Sequence, residues 1–253
     1  MKQITEIKKF KNEIKVTFDQ DTFTVQPELI MKYHLAVGIT LDQKTYQQFL
    51  DENHYLSALR WCLKKLKKML TVHEMKELLA GTSYPLSVQK QVINYLIDRK
   101  YLDDLSYAKT YVELKKYQEG PEMITFKLKQ KGITDLILGQ LFQKSYDEFQ
   151  IVYEVALAKS NKTKHKTKKQ LFQTIKMQLL AKGYQQDIIE AALAKLSSHV
   201  AIDEDQLMEV MYQKIHRTYS HKYQGYELKQ KMTEKLYQKG FSYERIKAFL
   251  KNK

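Results

Sequence analysis

The chain has 253 residues, of which 28% are charged, and its formal net charge is +14. No apolar run approaches the roughly 20 residues that span a bilayer, and no apolar core follows the basic N-terminus, which disfavours membrane insertion and secretion. A single cysteine allows no internal disulfide, and prolines and glycines are few, so we expect a mainly α-helical, cytoplasmic protein.

The first 50 residues predict a small β-containing segment. Apolar and polar residues alternate over residues 14–18 and again over 23–25, with a polar turn between them. This pattern is typical of a β-hairpin, and residues 4–10 are a candidate third strand.

Three helices are predicted between residues 27 and 68. Pro27 opens a short helix that we expect to end at Gly38, and Asp42 is the predicted N-cap of a helix that reaches Leu50. A third helix is predicted from Asn53 to Lys68. Its predicted inward residues are Leu56, Leu59, Leu63 and Leu66, with Cys62 in the core.

Charge is distributed unevenly. The first 50 residues carry a net charge of +1, which leaves +13 on the remaining residues. The helix that ends at Lys68 has a basic face, formed by Arg60, Lys64, Lys65, Lys67 and Lys68. A long basic surface favours a polyanionic partner such as nucleic acid or a nucleoprotein, although exposed lysines are also common on ordinary solvated faces.

Several helix starts carry capping signals. Thr71 and Glu74 match the capping-box pattern. Asp103, Ser145 and Asp203 are predicted to cap later helices, and the last two are followed after three residues by Glu148 and Gln206.

A repeat organises the rest of the chain. Lys-Gly followed by a large apolar residue occurs three times, at Gly132, Gly183 and Gly240. The flanking apolar slots are filled by Ile124, Leu128, Ile133, Leu138, Leu141 and Phe142, by Ile175, Leu179, Tyr184, Ile189, Ala192 and Leu193, and by Met232, Leu236, Phe241, Ile246, Phe249 and Leu250. This predicts an amphipathic helix, a left-handed glycine at its end, and a second amphipathic helix, with the lysine favourably placed at the helix C-terminus.

A weaker copy lies upstream, with Ser83 in the glycine slot and Gly81 as an alternative cap. The four copies are 49, 51 and 57 residues apart, which accommodates three helices per repeat, and neighbouring repeats must stack to bury their apolar faces. We therefore predict a mainly α-helical curved array of tandem three-helix repeats behind the β-hairpin segment. The predicted boundaries are 1–50 for that segment, then 51–102 (repeat 1), 103–144 (repeat 2), 145–202 (repeat 3) and 203–253 (repeat 4).

Polar connections are expected at similar places in three repeats. The longest is a basic loop over residues 160–169, and the others lie at 119–121 and 217–224. Loops that recur at one position of a repeat would align along one edge of the array.

Residues 101–133 carry an ordered string of motif residues, YLDDLSYAKTYVELKKYQEGPEMITFKLKQKGI. This string closely resembles the RecX family of bacterial recombination regulators, and the resemblance extends from about residue 55 to the end of the chain. The residues assigned structural roles from the motif and its later copies are Tyr101, Leu102, Asp103, Asp104, Tyr107, Ala108, Gly120, Pro121, Gly132, Gly183 and Gly240. The hairpin and the four repeats resemble the longer, Gram-positive type of member.

The resemblance implies a modulator of the RecA recombinase. Family members are tandem three-helix repeat proteins that bind the groove of the RecA filament and mainly inhibit its ATPase and strand exchange, which limits homologous recombination and the SOS response. It implies no enzymatic activity and no cofactor, and the spacing of the histidines predicts no metal site. The expected partners are RecA, the RecA filament on single-stranded DNA and, weakly, DNA itself; we expect a monomer.

Possible catalytic and stacking residues have simpler structural interpretations. Asp103 and Asp104 are interpreted as an N-cap and as a first-turn acid that complements its own helix dipole, rather than as a carboxylate pair for catalysis. Tyr219 and Tyr223, in the predicted loop at 217–224, are candidates for stacking on bases, although tyrosines also seal repeat interfaces.

The candidate contacts to RecA or DNA are therefore Arg60, Lys64, Lys65, Lys67, Lys68, Lys115, Lys116, Lys162, Lys164, Lys166, Lys168, Lys169, Tyr219 and Tyr223. The leading hypothesis is a modulator of the RecA filament. The alternative is a general helical-repeat nucleic-acid-binding protein without a dedicated role at RecA.

Overall fold

A computed structural model describes residues 1–11, 13–142, 146–163 and 166–251. It is mainly α-helical with a small N-terminal sheet, as predicted. The chain forms two compact units: Met1–Thr110 with Leu128–Leu138, and Tyr111–Lys127 with Gly139–Lys253. Over the described part of the chain, no helix is long and apolar enough to cross a membrane.

Among the residues that the structure describes, the first unit begins with an antiparallel sheet of four strands: β1 (Lys2–Lys9), β2 (Ile14–Phe18), β3 (Asp21–Val25) and β4 (Thr40–Leu41). Their order is β3-β2-β1-β4, so the predicted hairpin and the candidate third strand are confirmed. The two-residue strand β4 was not predicted, because so short a strand carries no alternation of its own. It pairs with the start of β1, Lys2 opposite Leu41.

Helix α1 (Pro27–Lys32) ends earlier than predicted. His34 has a φ of 49°, in the left-handed region, and the backbone N–H of Leu35 donates to Ile30 O at 2.9 Å. Gly38, the predicted end, instead lies in the connection to β4, with a φ of 91°, and its N–H donates to Ile4 O at 2.8 Å. The expected end at Gly38 was therefore wrong, because a non-glycine residue takes the left-handed conformation first.

The two helices predicted between residues 42 and 68 are one helix, α2 (Gln43–Lys65). Asp42 caps it as predicted, accepting from the N–H groups of Lys44 and Thr45 at 2.9 Å each. Asn53, where we placed a helix start, does not interrupt the helix. Its side chain is buried and binds the end of the sheet, donating to Thr24 O at 3.0 Å and accepting from Gln26 N at 3.1 Å.

Helix α2 contributes to two cores. Its first half packs Tyr46 and Phe49 against the sheet, and its second half packs Ala58 and Cys62 into the core of repeat 1. Burial raises the pKa of the Cys62 thiol to about 11, in keeping with the predicted core position. Leu63, predicted inward, is 38% exposed, because Ala58 and Cys62 set the buried face.

Further helices of the first unit follow α2 along the chain. They are α3 (Val72–Ala80), α4 (Leu86–Asp98), the beginning of α5 (Asp104–Lys115), the end of α6 (Pro121–Gln130) and α7 (Asp135–Leu138). Thr71 forms the predicted capping box with Glu74, and Asp103 accepts from the N–H groups of Leu105 and Ser106. Gly81 stands at the end of α3 with a φ of −77°, so repeat 1 turns without a left-handed glycine there.

Over its described residues, the second unit contains the rest of α5 and α6 followed by six helices: α8 (Glu148–Lys162), α9 (Lys168–Leu180), α10 (Gln186–Ser197), α11 (Glu204–Tyr219), α12 (Gly225–Gln238) and α13 (Tyr243–Lys251). Asp203 caps α11 as predicted. Ser145 lies outside the described residues, and Asp147 caps α8 by accepting from Gln150 N at 2.9 Å.

The three Lys-Gly turns adopt the predicted conformation. Gly132, Gly183 and Gly240 have φ values of 78°, 82° and 86°. The residue after each glycine donates its N–H to the residue five positions earlier, as in Ile133 N to Leu128 O at 3.1 Å, which is the Schellman arrangement. The predicted apolar slots are buried, apart from the half-buried Phe142 and Phe249.

Candidate interaction surfaces

Each Lys-Gly turn contacts the start of the middle helix of the preceding repeat. In the first unit, the Thr71 hydroxyl donates to Lys131 O at 2.7 Å. In the second unit, Gly120 N donates to Lys182 O at 2.8 Å, and the Thr167 hydroxyl donates to Lys239 O at 3.4 Å. These three contacts, here called the turn junctions, use the unpaired carbonyls at one helix end and polar groups at another helix start.

The turn junctions also explain why glycine occupies the turn. A Cβ on Gly132 would overlap the side chain of His73. A Cβ on Gly183 would lie 2.6 Å from Met123 N, and one on Gly240 would lie 2.6 Å from the Thr167 hydroxyl oxygen. Glycine therefore permits both the left-handed turn and the close approach to the preceding repeat.

Two acids add a second contact between repeats. Asp104, interpreted from sequence as complementing its own helix, accepts from Val72 N of α3 at 2.9 Å. Glu204 makes the equivalent contact in the second unit, accepting from Lys168 N of α9 at 3.1 Å, and it also pairs with Arg245. Both carboxylates sit at the N-terminus of a helix in the preceding repeat, where backbone N–H groups lack partners. Asp104 is thus a structural residue, as predicted, but for a different helix.

Glu74 and Lys131 form an ion pair at the first turn junction, with Lys131 Nζ 2.6 Å from the carboxylate. Partial burial opposes ionisation of Glu74, but hydrogen bonds from Lys131 and from Thr71 N outweigh it, so the pKa of the carboxyl is lowered. The hydrogen bond to Glu74 raises the pKa of Lys131 in turn. The lysine of this turn therefore neutralises a partner in the preceding repeat as well as complementing its own helix end.

The basic face at the end of α2 lies in the first unit. Arg60 pairs with Glu28, and Lys65 lies over the Trp61 ring, 5.0 Å from its centroid. Lys64, Lys67 and Lys68 are exposed, and across the described residues none of the three forms an ion pair. These three lysines, here called the α2 basic patch, are the part of the predicted face that is available to a partner.

The candidate lysines of the second unit differ in their availability. Lys115 and Lys116 hydrogen-bond Gln118 and Glu113, at 3.4 and 2.6 Å. Lys166 donates to the Thr174 hydroxyl at 2.9 Å and Lys168 to Ser197 O at 2.6 Å.

The basic loop predicted over residues 160–169 is shorter than expected. Helix α8 continues to Lys162, and α9 begins at Lys168 behind the N-cap Thr167. Lys162 and Lys169 are exposed, whereas Lys164 lies outside the described residues. The described part of this segment therefore presents two exposed lysines, on the ends of two helices.

The predicted position of Tyr219 in a loop was wrong. Helix α11 continues through Tyr219, which packs against the apolar core of repeat 4. Tyr223 lies in the connection to α12, half-buried, with its ring centroid 6.2 Å from that of Tyr219. Tyr219 therefore covers the core of its own repeat instead of projecting from a loop.

The family motif combines buried and exposed residues. Leu102, Tyr107 and Ala108 are buried, and Tyr101 is 53% exposed. Pro121 begins α6, and Gly120 precedes it at the second turn junction.

Exposed tyrosines that sequence reasoning did not select lie in repeat 4. Tyr226, Tyr237 and Tyr243 are 82%, 63% and 56% exposed. Tyr243 occupies a slot of the repeat in which other repeats carry different residues, and a comparison of the four copies at that slot would have identified it.

These features define a class of protein: a small N-terminal sheet followed along the chain by tandem three-helix units, with turn junctions inside each of the two compact units. A family model described as the third three-helix domain of RecX matches residues 203–250. "Regulatory protein RecX" of Lactococcus lactis subsp. lactis (strain IL1403) is 31% identical over 266 residues, which cover 100% of this chain and 98% of the relative. The protein of the same name from Halalkalibacterium halodurans is 29% identical, covering 92% and 90%.

A crystal structure of regulatory protein RecX shares the fold, with a TM-score of 0.55 and 21% identity over 75% of this chain and 98% of that one. Similarity to the Lactococcus lactis protein extends over essentially the whole length of both chains. The chain belongs to the RecX family of regulatory proteins.

Proposed function

We propose that this protein binds the RecA filament on single-stranded DNA and inhibits the ATPase and strand exchange of RecA. The observation that carries the proposal is the full-length similarity to proteins named regulatory protein RecX, 31% identical in the first case. In the cell, such an activity limits homologous recombination and the SOS response and is exerted in the cytoplasm. The protein regulates by binding and catalyses no reaction itself.

Charge gives this binding a physical basis. The α2 basic patch and the exposed Lys162 and Lys169 present cations without ion pairs among the described residues. A nucleoprotein filament is a polyanion, and complementary charge raises the association rate and makes it sensitive to salt. Binding changes the filament when the protein has a higher affinity for one filament state than for another.

The direct test is a titration of this protein into RecA that is hydrolysing ATP on single-stranded DNA. We expect the ATPase rate and the filament length to fall as the protein approaches the concentration of RecA. Unchanged ATPase, filament length and strand exchange over the whole titration would contradict the proposal.

The α2 basic patch can be tested within the same assay. The triple variant Lys64→Gln, Lys67→Gln, Lys68→Gln should inhibit less than the wild-type protein, with the loss growing at low salt. The matched control is Lys9→Gln, Lys11→Gln, Lys44→Gln, which removes equal charge from exposed lysines near the N-terminus. Equal effects of the two triple variants would show that total charge, rather than the patch, determines binding.

The alternative is a general nucleic-acid-binding protein. Measuring the affinity for RecA-coated and for bare single-stranded DNA at the same salt concentration distinguishes it from a regulator of RecA. A regulator of RecA should bind RecA-coated single-stranded DNA more tightly than bare DNA. Equal affinities would favour the alternative.

A further inference from the structure

Repeat 4 contains an open groove between α12 and α13, with a volume of about 600 Å³. Tyr226 and Tyr243 line it and are largely exposed. Lys229, Lys247 and Lys251 line it as well. The groove therefore brings together two aromatic faces and three cations, here called the tyrosine-lysine groove.

The lysines of the tyrosine-lysine groove are free to neutralise a ligand. Across the described residues, Lys229, Lys247 and Lys251 are exposed and form no ion pair. The groove also contains one acid, Glu234, whose carboxylate is already held by Lys231 at 2.6 Å and by Lys235 at 3.6 Å. The unneutralised charge of the groove is therefore positive.

A second cavity, of about 750 Å³, adjoins the groove at Tyr243, which lines both. It is lined by the exposed Tyr237, by Lys169 at the start of α9 and by Glu244. The surface thus continues from α13 toward repeat 3 with a third exposed tyrosine and another cation.

Repeat 3 lacks this chemistry at the same positions. Aligned on the turn glycines, Tyr243 corresponds to Gln186 and Lys247 to Glu190. Glu190 accepts a hydrogen bond from Gln186 at 3.0 Å and pairs with Lys176 at 2.6 Å, so these groups satisfy one another within the repeat. The exposed tyrosine at this slot is therefore specific to repeat 4, since the other copies carry Leu86, Asp135 and Gln186 there, and it is not required by the three-helix fold.

We propose that the tyrosine-lysine groove is a binding site for single-stranded nucleic acid. Unpaired bases stack on Tyr226 and Tyr243, with Tyr237 continuing the path, while Lys229, Lys247 and Lys251 neutralise phosphates. Aromatic faces interleaved with cations are the general means of holding a single strand without sequence preference. A duplex fits less well because its bases are already stacked. An acidic peptide would satisfy the lysines but brings no bases to stack on the exposed faces of Tyr226 and Tyr243.

The test is fluorescence anisotropy of a labelled oligothymidylate with the full chain and no RecA present, so its outcome does not depend on the proposed inhibition of RecA. The double variant Tyr226→Ala, Tyr243→Ala should weaken binding about tenfold or more, whereas Tyr226→Phe, Tyr243→Phe should bind as the wild type does, because phenylalanine also stacks. Replacing Lys229, Lys247 and Lys251 with Gln should lower the slope of log affinity against log salt by about 2, at roughly 0.7 per phosphate contact.

A swap between repeats provides a second variant that should fold. Tyr243→Gln with Lys247→Glu installs the residues of repeat 3 in repeat 4. The control makes the same charge change at the corresponding exposed residues of repeat 1, Leu86→Gln with Lys90→Glu. The swap in repeat 4 should weaken binding several-fold more than the control does.

Three results would overturn the proposal. If the swap and its control weaken oligothymidylate binding equally, the loss of affinity is due to net charge and not to the groove. Duplex DNA that binds as tightly as oligothymidylate, with the alanine variants unaffected, would assign the groove to phosphates alone. Displacement of the oligonucleotide by polyglutamate at an equal concentration of charge would assign the groove to an acidic peptide.

Discussion

The first and second turn junctions make the same approach with different chemistry. At the first, a buried threonine hydroxyl binds the turn, from Thr71 to Lys131 O at 2.7 Å. At the second, the backbone N–H of Gly120 donates to Lys182 O at 2.8 Å, and the backbone N–H of Glu122 donates to Gly183 O at 3.2 Å. A side chain bridges the first junction, whereas two glycines bring the backbones themselves together at the second. The turn lies at the same position in both repeats, whereas the group that donates to its carbonyl differs.

The largest effect is expected from Gly120→Ala at the second turn junction. A Cβ there would overlap the backbone carbonyl of Gly183, which cannot rotate away, so we expect a loss of about 3 kcal/mol in the free energy of unfolding. The control is Gly81→Ala, where a Cβ would meet Leu78 O at an ordinary 3.6 Å and stability should change by less than about 0.5 kcal/mol. Urea denaturation measures both, and similar losses would contradict a close approach at Gly120.

Thr71→Val should weaken the first turn junction by about 1–2 kcal/mol. The change keeps the shape of the side chain but removes the hydroxyl, which donates to Lys131 O and accepts from Glu74 N. Thr167→Val, at the third junction, should cost less, because the hydroxyl there lies 3.4 Å from Lys239 O and 3.3 Å from Gln170 N. Thermal unfolding of the two variants ranks the junctions, and a larger loss at Thr167 would reverse the order given by these distances.

Lys131→Met tests the ion pair that accompanies the threonine. Because the pair is partly exposed to solvent, we expect a loss of about 0.5 kcal/mol near neutral pH. The pKa of Glu74 is lowered, so its contribution is full above the ordinary value of 4.5 and disappears as pH falls through the lower folded value. Because the pKa of Lys131 is raised, the ion pair stays intact up to pH 10.5. It is lost as the pH rises further, through the folded pKa of the lysine.

The matching measurement is the stability of wild type and Lys131→Met across that pH range. The difference between them should be greatest between the two ordinary pKa values and should shrink at both extremes. A difference that stays constant with pH would assign the effect to the packing of the lysine's aliphatic stem instead of to its charge.

Glu148→Gln should have the smallest effect, and in the opposite direction. Glu148 is buried beside the second turn junction, where desolvation raises its pKa although it accepts from Gln185 N at 2.9 Å. A raised carboxyl pKa destabilises the fold once pH exceeds the ordinary value of 4.5, so the neutral variant should gain a few tenths of a kcal/mol at neutral pH and nothing below that value. Thermal unfolding at the two pH values would detect this gain, and a loss at neutral pH would show that the charge itself is needed.

Local sequence signals predicted much of the fold. The caps at Asp42, Thr71, Asp103 and Asp203 and the three left-handed glycines are confirmed, because each depends on bonds within a few residues. Errors arose where a distant partner intervened. Asn53 has the composition of a helix start, yet the sheet uses its side chain, and α2 continues through it.

The candidate site was predicted less completely than the fold. The sequence identified the α2 basic patch, since a run of lysines at residues 64–68 is visible in it, although α2 ends at Lys65 and Lys67 and Lys68 follow it. The sequence could not show that Arg60 pairs with Glu28, or that Lys166 and Lys168 donate hydrogen bonds to Thr174 and Ser197. These contacts join residues that are 8 to 32 positions apart in the chain. The tyrosine-lysine groove was missed for the same reason, since Tyr226 and Tyr243 lie on different helices.

By itself, the sequence determined the repeat, its buried slots and the conformation of its turns, because apolar periodicity and backbone preference act over one or two helical turns. The tertiary structure decided what each turn binds. Lys131 lies 60 residues from Thr71, and Lys182 lies 62 residues from Gly120, so no local signal connects them. The close approach of stacked helices makes Asp104 the cap of a neighbouring helix and leaves the tyrosines and lysines of repeat 4 open to a ligand.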